Sequence, residues 1–185
     1  QDFKGHQWIN PNCRDKDDKD RIVAIIGSGR FAFSTIAYFL KKNKKNFLRY
    51  VYSPGRKKAV SLCKSFNGLC VPSDWRDILK DDKVKLVFIL SPSETHADYA
   101  IECINAGKNV YIEKPPVVSE SQLDMLKQSM IKNPQCNVFL GFNRSLSENF
   151  IELKKHLSNE SGSLSADCYM SVNKSKKNKK IINSD

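Results

Sequence analysis

Nowhere in the 185 residues does an apolar run approach the roughly 20 residues that a membrane-spanning helix needs, so no such span is expected. The first 20 residues are polar and charged and lack the apolar core of a signal peptide. No Met opens the chain, which leaves processing and fragmentation both open. The six cysteines, Cys13, Cys63, Cys70, Cys103, Cys136 and Cys168, form no C-x-x-C pair and no zinc spacing. Isolated reduced thiols in the cytoplasm are therefore expected, rather than disulfides or a metal site. Histidine occurs three times, and His6 with Cys13 does not amount to a metal-ligand set. Acidic residues are in deficit, 20 against 31 Lys and Arg, for a net charge of +11. A basic excess can serve nucleic acid. The lysine runs at residues 41–45 and 174–180 contain no aromatic side chain, so they offer bases nothing to stack on. A solvated lysine-rich surface that also attracts anionic cofactors is the reading. Neither nucleic acid nor membrane is expected as a partner.

What is present is organised around residues 21–32, RIVAIIGSGRFA. The apolar run at 22–26 suits a strand buried on both faces of a parallel sheet. Gly27, Ser28, Gly29, Arg30, Phe31 and Ala32 fit G-x-G-x-x-G/A. Behind them Phe33, Ile36, Ala37 and Leu40 are spaced as the buried face of a helix. Strand, glycine turn and helix in this order are the context of a dinucleotide fingerprint. Gly27 allows the tight turn, Gly29 lets backbone approach a pyrophosphate, and Ala32 permits close helix–strand packing. The helix start offers free N–H groups to phosphate. The plainer alternative is a strand–helix turn that happens to hold two glycines.

Residues 47–52, FLRYVY, read as a second strand, after which Ser53 stands where an acidic residue would hydrogen-bond an adenosine ribose. Ser53 with Arg56 and Lys57 suits a 2′-phosphate, so NADP is favoured slightly over NAD. Alternatively, residues 56–58 simply begin the next helix facing water. That helix is expected over 56–66, with Ala59, Leu62, Cys63 and Phe66 buried and residues 67–68 ending it. A short strand at 69–71 and one or two helical turns at 74–79 follow, then a strand at 84–90. Residues 91–93, Ser-Pro-Ser, break that strand at the edge where open α/β sheets bind ligands. Ser93 is expected to cap a helix whose buried face is Ala97, Ala100, Ile101 and Ile104, with Gly107 at its end. A strand at 109–112 runs straight into Glu113-Lys114-Pro115. Ser119 and Gln122 suggest a capping box before a helix burying Leu123, Leu126 and Met130. A strand at 137–142 leads to Asn143 and Arg144, and Ser145 with Glu148 suggests a second capping box before a helix to residue 157.

The alternation is that of a doubly wound Rossmann-type α/β sheet. Residues 1–20 are expected as an aperiodic, mobile leader in which Trp8 and Ile9 could dock locally. Residues 21–157 form the NAD(P)-binding domain. Residues 158–163 are expected as a linker, 164–172 as one strand of something further and 173–185 as a frayed lysine-rich tail.

GSGRFA at 27–32, SPSETH at 91–96, AGKNVYIEKP at 106–115 and GFNR at 141–144 together resemble the N-terminal domain of the Gfo/Idh/MocA oxidoreductases, the relatives of glucose–fructose oxidoreductase and inositol dehydrogenase. The resemblance spans residues 21–157. It implies that Gly27 to Ala32 hold the pyrophosphate and that Ser91, Pro92 and His96 line the nicotinamide side. It implies that Lys114 is the catalytic residue beside the hydride-transfer centre, with Glu113 and Pro115 fixing it and Asn143 and Arg144 nearby. An ammonium beside a reacting hydroxyl stabilises negative charge and shuttles its proton. Lys114 as an ordinary surface lysine, and His96 as an ordinary first-turn histidine, remain the plainer alternatives. The family's usual second domain, an α+β domain with a large open sheet, is largely missing, and with it the histidine that often serves as base. With the resemblance, residues 158–185 are expected as a linker and the start of a truncated second domain. His156 precedes that domain and does not carry over. The implied function is an NAD(P)-dependent oxidoreductase acting on a sugar, cyclitol or nucleotide-linked sugar, as a homo-oligomer or with a complementary second domain. The alternative is a non-catalytic NAD(P)-binding module or partner subunit.

Overall fold

A computed structural model describes residues 7–13, 21–43, 47–158 and 162. The chain divides into two compact units, Gln1–Leu146 and Ser147–Asp185. The first unit is built on one seven-stranded sheet. Its strands are β1 (Trp8–Ile9), β2 (Val23–Ile26), β3 (Leu48–Tyr52), β4 (Cys70–Val71), β5 (Leu86–Ile89), β6 (Asn109–Ile112) and β7 (Val138–Leu140), in the spatial order β1-β4-β3-β2-β5-β6-β7. All neighbours from β4 to β7 run parallel, and β1 alone is antiparallel, on β4. Among the six parallel strands the order is 3-2-1-4-5-6, the Rossmann arrangement, with its reversal between β2 and β5.

Alternation along the central strands explains why they sit inside. On β2, Val23 and Ile25 enter one core, while Ala24 and Ile26 enter the other. On β5, Phe88 faces the first core, and Val87 and Ile89 the second. The first core is closed by a π-helical turn, Ala32–Ala37, that continues into α1 (Tyr38–Asn43), and by α2 (Arg56–Ser65). The second is closed by α3 (Asp77–Lys80), α4 (His96–Asn105) and α5 (Glu120–Lys132). Helices on both faces cover the central strands β2 and β5, which is why continuous apolar runs, not alternating ones, mark these two. The described part of the second unit is α6 (Glu148–Leu157). Burial pushes the thiols of Cys63 and Cys103 up to about 12, so they act as small core side chains rather than nucleophiles.

Several expectations are corrected. Residues 7–13 are not an aperiodic leader: Trp8–Ile9 pair with β4, and buried Asn10 donates to the Gly68 carbonyl at 2.8 Å. Phe33 is 42% exposed, because π-winding over Ala32–Ala37 turns the helix face. It stacks edge-on to Phe66 instead, at 5.0 Å between centroids. On α5 the buried positions are Leu126 and Ser129, while Leu123 and Met130 lie at the rim. Ser93 opens a 3-10 turn, Ser93–Thr95, and makes no cap; Thr95 precedes α4. Ser119 does accept from the Gln122 N–H, at 3.2 Å. The cap of α6 is Ser147, not Ser145, whose hydroxyl donates to Phe142. The strand expected at 164–172 and the tail at 173–185 lie outside the described residues.

The amino-terminal edge of the sheet is held by polar contacts. Arg49, 8% exposed on β3, bonds through Nε to Asp81, which also accepts from the Tyr50 hydroxyl at 2.9 Å and the Lys83 N–H at 2.9 Å. Lys108, buried before β6, donates to the Asp81 carbonyl at 2.8 Å. Burial opposes ionisation of Asp81, but these donors outweigh it and hold the carboxyl below its ordinary value. Burial, then the bond to Asp81, pushes Tyr50 up to about 12. A carboxyl whose pKa is depressed by folding stabilises the fold above its unfolded pKa, and that contribution is lost as pH falls through the folded value. Asp81→Asn should therefore cost about 2 kcal/mol in urea unfolding at pH 7. The gap between variant and wild type should narrow as the pH is taken below the ordinary carboxylate range. A gap that does not change with pH would show that the charge of Asp81 is irrelevant.

Candidate functional site

The register places the site. Ile26 pairs with Tyr52 and Ile89, Ile89 with Ile112, and Ile112 with Leu140, so five parallel strands end in line. Their hydrogen-bond ladder continues one residue further: Gly27 N–H to Tyr52, Leu90 to Ile26, Glu113 to Ile89, and Gly141 to Ile112, at 2.7–3.0 Å. Gly27, Ser53, Leu90, Glu113 and Gly141 thus leave the sheet side by side along its carboxyl edge. Two hollows open there.

The larger, about 800 Å³, straddles the reversal between β2 and β5. Its lining joins Gly27, Ser28 and Gly29 with Ser53, Arg56 and Lys57 on one flank and Ser91, Pro92, Thr95 and Tyr99 on the other. Gly27 has φ +107°, and a Cβ there would fall on the Leu90 carbonyl and 2.7 Å from Ser91 N. Gly29 is different: it lines the hollow, and a Cβ there meets nothing within 4 Å. The Ser28 hydroxyl is buried with no hydrogen-bond partner among the described residues. A buried hydroxyl left over beside an open glycine backbone suits an anionic ligand with oxygens to share.

The smaller hollow, about 350 Å³, is lined by Lys114, Phe142, Asn143, Arg144 and Ser145 with Gly141. Tyr111 donates to Glu113 Oε2 at 3.3 Å, and Asn143 Nδ2 donates to the Tyr111 hydroxyl at 3.4 Å. Burial first, with the nearby Glu113 carboxylate, raises the Tyr111 phenol, while the Asn143 bond opposes this. A Cβ on Gly141 would lie 2.8 Å from both Glu113 Oε2 and the Tyr111 oxygen, so a larger residue there would push these two side-chain ends aside.

Of the residues expected in the site, Gly27, Ser28, Gly29, Ser53, Arg56, Lys57, Ser91 and Pro92 meet in the larger hollow, and Lys114, Asn143 and Arg144 in the smaller. Arg30, Phe31 and Ala32 lie off both linings; Ala32, 1% exposed, packs in the core instead. Glu113 and Pro115 flank Lys114 without lining either hollow. His96, expected on the nicotinamide side, is 1% exposed and turned inward. Its Nδ1 lies 2.7 Å from the Pro115 carbonyl oxygen and its Nε2 2.7 Å from that of Ser91. Tyr111, Thr95, Tyr99 and Lys58 were missed. Tyr111 could have been found, since strand period 2 puts it on the same face as Glu113.

A family model described as "Oxidoreductase family, NAD-binding Rossmann fold", that of the Gfo/Idh/MocA proteins, matches residues 21–142. Inositol 2-dehydrogenase of Salmonella typhimurium is 33% identical over 82 residues, covering 44% of this chain and 24% of that protein. Myo-inositol 2-dehydrogenase of Thermotoga maritima is 28% identical over 138 residues, covering 74% and 40%. The crystal structure of a myo-inositol 2-dehydrogenase from Lactobacillus plantarum superposes with a TM-score of 0.66 at 22% identity, over 74% of this chain and 40% of that one, a likeness of fold. The chain thus spans under half the length of the relatives it matches.

The two glycines separate folding from binding. Gly29→Val should keep the circular dichroism spectrum and melting temperature yet abolish dinucleotide binding, because its side chain fills open space where phosphate would lie. Gly27→Ala should lower the melting temperature, by an amount set by strain of about 1–3 kcal/mol. A folded Gly29→Val protein that binds NADPH normally would move the phosphates elsewhere.

Proposed function

Because the chain belongs to the Gfo/Idh/MocA oxidoreductase family, we propose that it is the NAD(P)-binding part of a dehydrogenase that oxidises or reduces a cyclitol or sugar. The observation that carries this is the row of strand ends. It puts the open glycine turn, the Ser91 loop and Lys114 along one edge, with the larger hollow over the reversal of strand order. In this reading the backbone N–H groups after Gly27 and the Ser28 hydroxyl hold the pyrophosphate. Ser53, Arg56 and Lys57 take the adenosine end, where a hydroxyl and cations favour a 2′-phosphate over a bare ribose. Ser91 and Pro92 take the nicotinamide end. The bound nicotinamide supplies the hydride acceptor or donor. Lys114 holds the proton at the substrate hydroxyl oxygen and opposes the negative charge that develops there.

One observation favours a second, narrower reading. His96 is engaged with two backbone carbonyls, so it does not offer a base to the hollow of Lys114. The 185 residues alone would then bind cofactor without turning over, as a dinucleotide-holding module.

Calorimetry with NAD(H) and NADP(H) tests the cofactor assignment. NADP(H) should bind at least as tightly as NAD(H), and Ser53→Asp should weaken NADP(H) by roughly tenfold or more through like-charge repulsion. A clear NAD preference that the new carboxylate leaves unchanged would remove it. Absorbance assays on a cyclitol and sugar panel should give little turnover from the 185 residues. Turnover on the order of 1–10³ per second that survives Lys114→Ala would show that another residue does the chemistry.

A further inference from the structure

We propose that His96 is a positioning residue that ties the nicotinamide-side loop to the Lys114 loop, an inference that rests on the dinucleotide reading above. The imidazole is 1% exposed and opens α4, after the 3-10 turn Ser93–Thr95. It reaches the Ser91 carbonyl with Nε2 and the Pro115 carbonyl with Nδ1, both at 2.7 Å. These carbonyls belong to separate loops, one leaving β5 and the other leaving β6. The first lines the larger hollow, and the second follows Lys114, which lines the smaller.

A carbonyl oxygen only accepts, so the neutral ring donates to one of the two carbonyls and packs against the other, and only a ring with protons on both nitrogens donates to both. Both partners are main-chain atoms, so the ring constrains backbone rather than one mobile side chain. The residues around it reinforce this role. The Thr95 hydroxyl donates to the Pro92 carbonyl at 2.7 Å and lies 2.8 Å from Ser91 Oγ, and Gln122 donates to the Glu94 carbonyl at 3.1 Å. The segment between Ser91 and α4 is thus bound at several points; Gln122 joins it to Val118, from whose N–H it accepts at 2.9 Å, and His96 joins it to Pro115, the residue next to Lys114. Hydride transfer depends on the spacing of its two partners, and displacements near 1 Å are costly. A rigid heterocycle between the cofactor loop and the lysine loop sets that spacing more tightly than either loop alone.

Amide side chains dissect the tie. In His96→Asn the amide nitrogen stands near Nδ1 and keeps the Pro115 half. In His96→Gln it stands near Nε2 and keeps the Ser91 half. The affinity for NADPH is compared by calorimetry with that for 2′-phospho-ADP-ribose, the same molecule without nicotinamide. His96→Asn should weaken NADPH roughly tenfold and leave 2′-phospho-ADP-ribose unchanged, while His96→Gln should bind both as wild type does. In amide NMR spectra, Ser91 should move in the Asn variant, and Glu113 and Lys114 in the Gln variant. A purely structural histidine would lower the melting temperature and weaken both ligands in parallel, and that result overturns the proposal, as does unchanged NADPH binding in the Asn variant. Should both variants unfold, the wild-type imidazole ¹⁵N resonances decide. A shift on adding NADPH but not 2′-phospho-ADP-ribose supports the tie, and equal responses reject it. Wild-type protein that binds neither NADPH nor NADH overturns the dinucleotide reading itself, and the role of His96 with it.

Discussion

There is no room for a Cβ at residue 27. The backbone leaving β2 passes so close to the backbone leaving β5 that only glycine fits, and only glycine adopts the φ of +107° without strain. This single approach brings the glycine turn and the Ser91 loop together at the point where the strand order reverses. The larger hollow lies between them because helices leave to opposite faces of the sheet from β2 and β5, opening a crevice at their carboxyl ends. Residue 29, two positions on, shows the complementary case: a Cβ there meets nothing within 4 Å, so packing does not demand glycine.

The two edges of the sheet divide their labour. At the amino-terminal edge, Arg49, Tyr50 and Lys108 all bond to Asp81. At the carboxyl edge polar groups are left to a partner, as with the Ser28 hydroxyl. Buried polar atoms are normally satisfied, and Ser28 Oγ at the carboxyl edge and Arg49 Nη1 at the other are both buried with no hydrogen-bond partner among the described residues. Between the two, parallel strands paired residue by residue hold both edges in register.

Much of this was legible in the chain. The run at 22–26 announces a strand buried on both sides, and the glycine turn behind it announces the crevice. What the chain hid has physical causes. Trp8 and Ile9 make a two-residue strand that is stabilised by pairing with β4, and no periodicity can show in two residues. Phe33 falls off the buried face because the helix is π-wound there, which a 3.6-residue period does not anticipate. At the site, the motif carried Lys114 and its neighbours, but not the direction of His96. A histidine beside a serine-rich loop reads as a ligand contact, and only the fold reveals that two main-chain carbonyls claim the ring. Tyr111 was overlooked since an aromatic in a strand reads as core, while its hydroxyl end reaches Glu113.

Solvent decides how much Lys114 can do. Its side chain is exposed and its hollow open, so a negative charge developing about 4 Å from the ammonium would gain only about 1 kcal/mol in a water-like dielectric. At the effective dielectric of a partly covered protein surface the same pair gains about 4 kcal/mol. The difference is a factor of roughly 10² in rate. His96 packs against the Pro115 carbonyl next to Lys114, a contact that leaves the lysine side chain exposed to that water. Positioning and desolvation are therefore separable here. The carboxyl edge of this sheet supplies the first, and whatever closes over the hollow when substrate is bound, the substrate included, must supply the second.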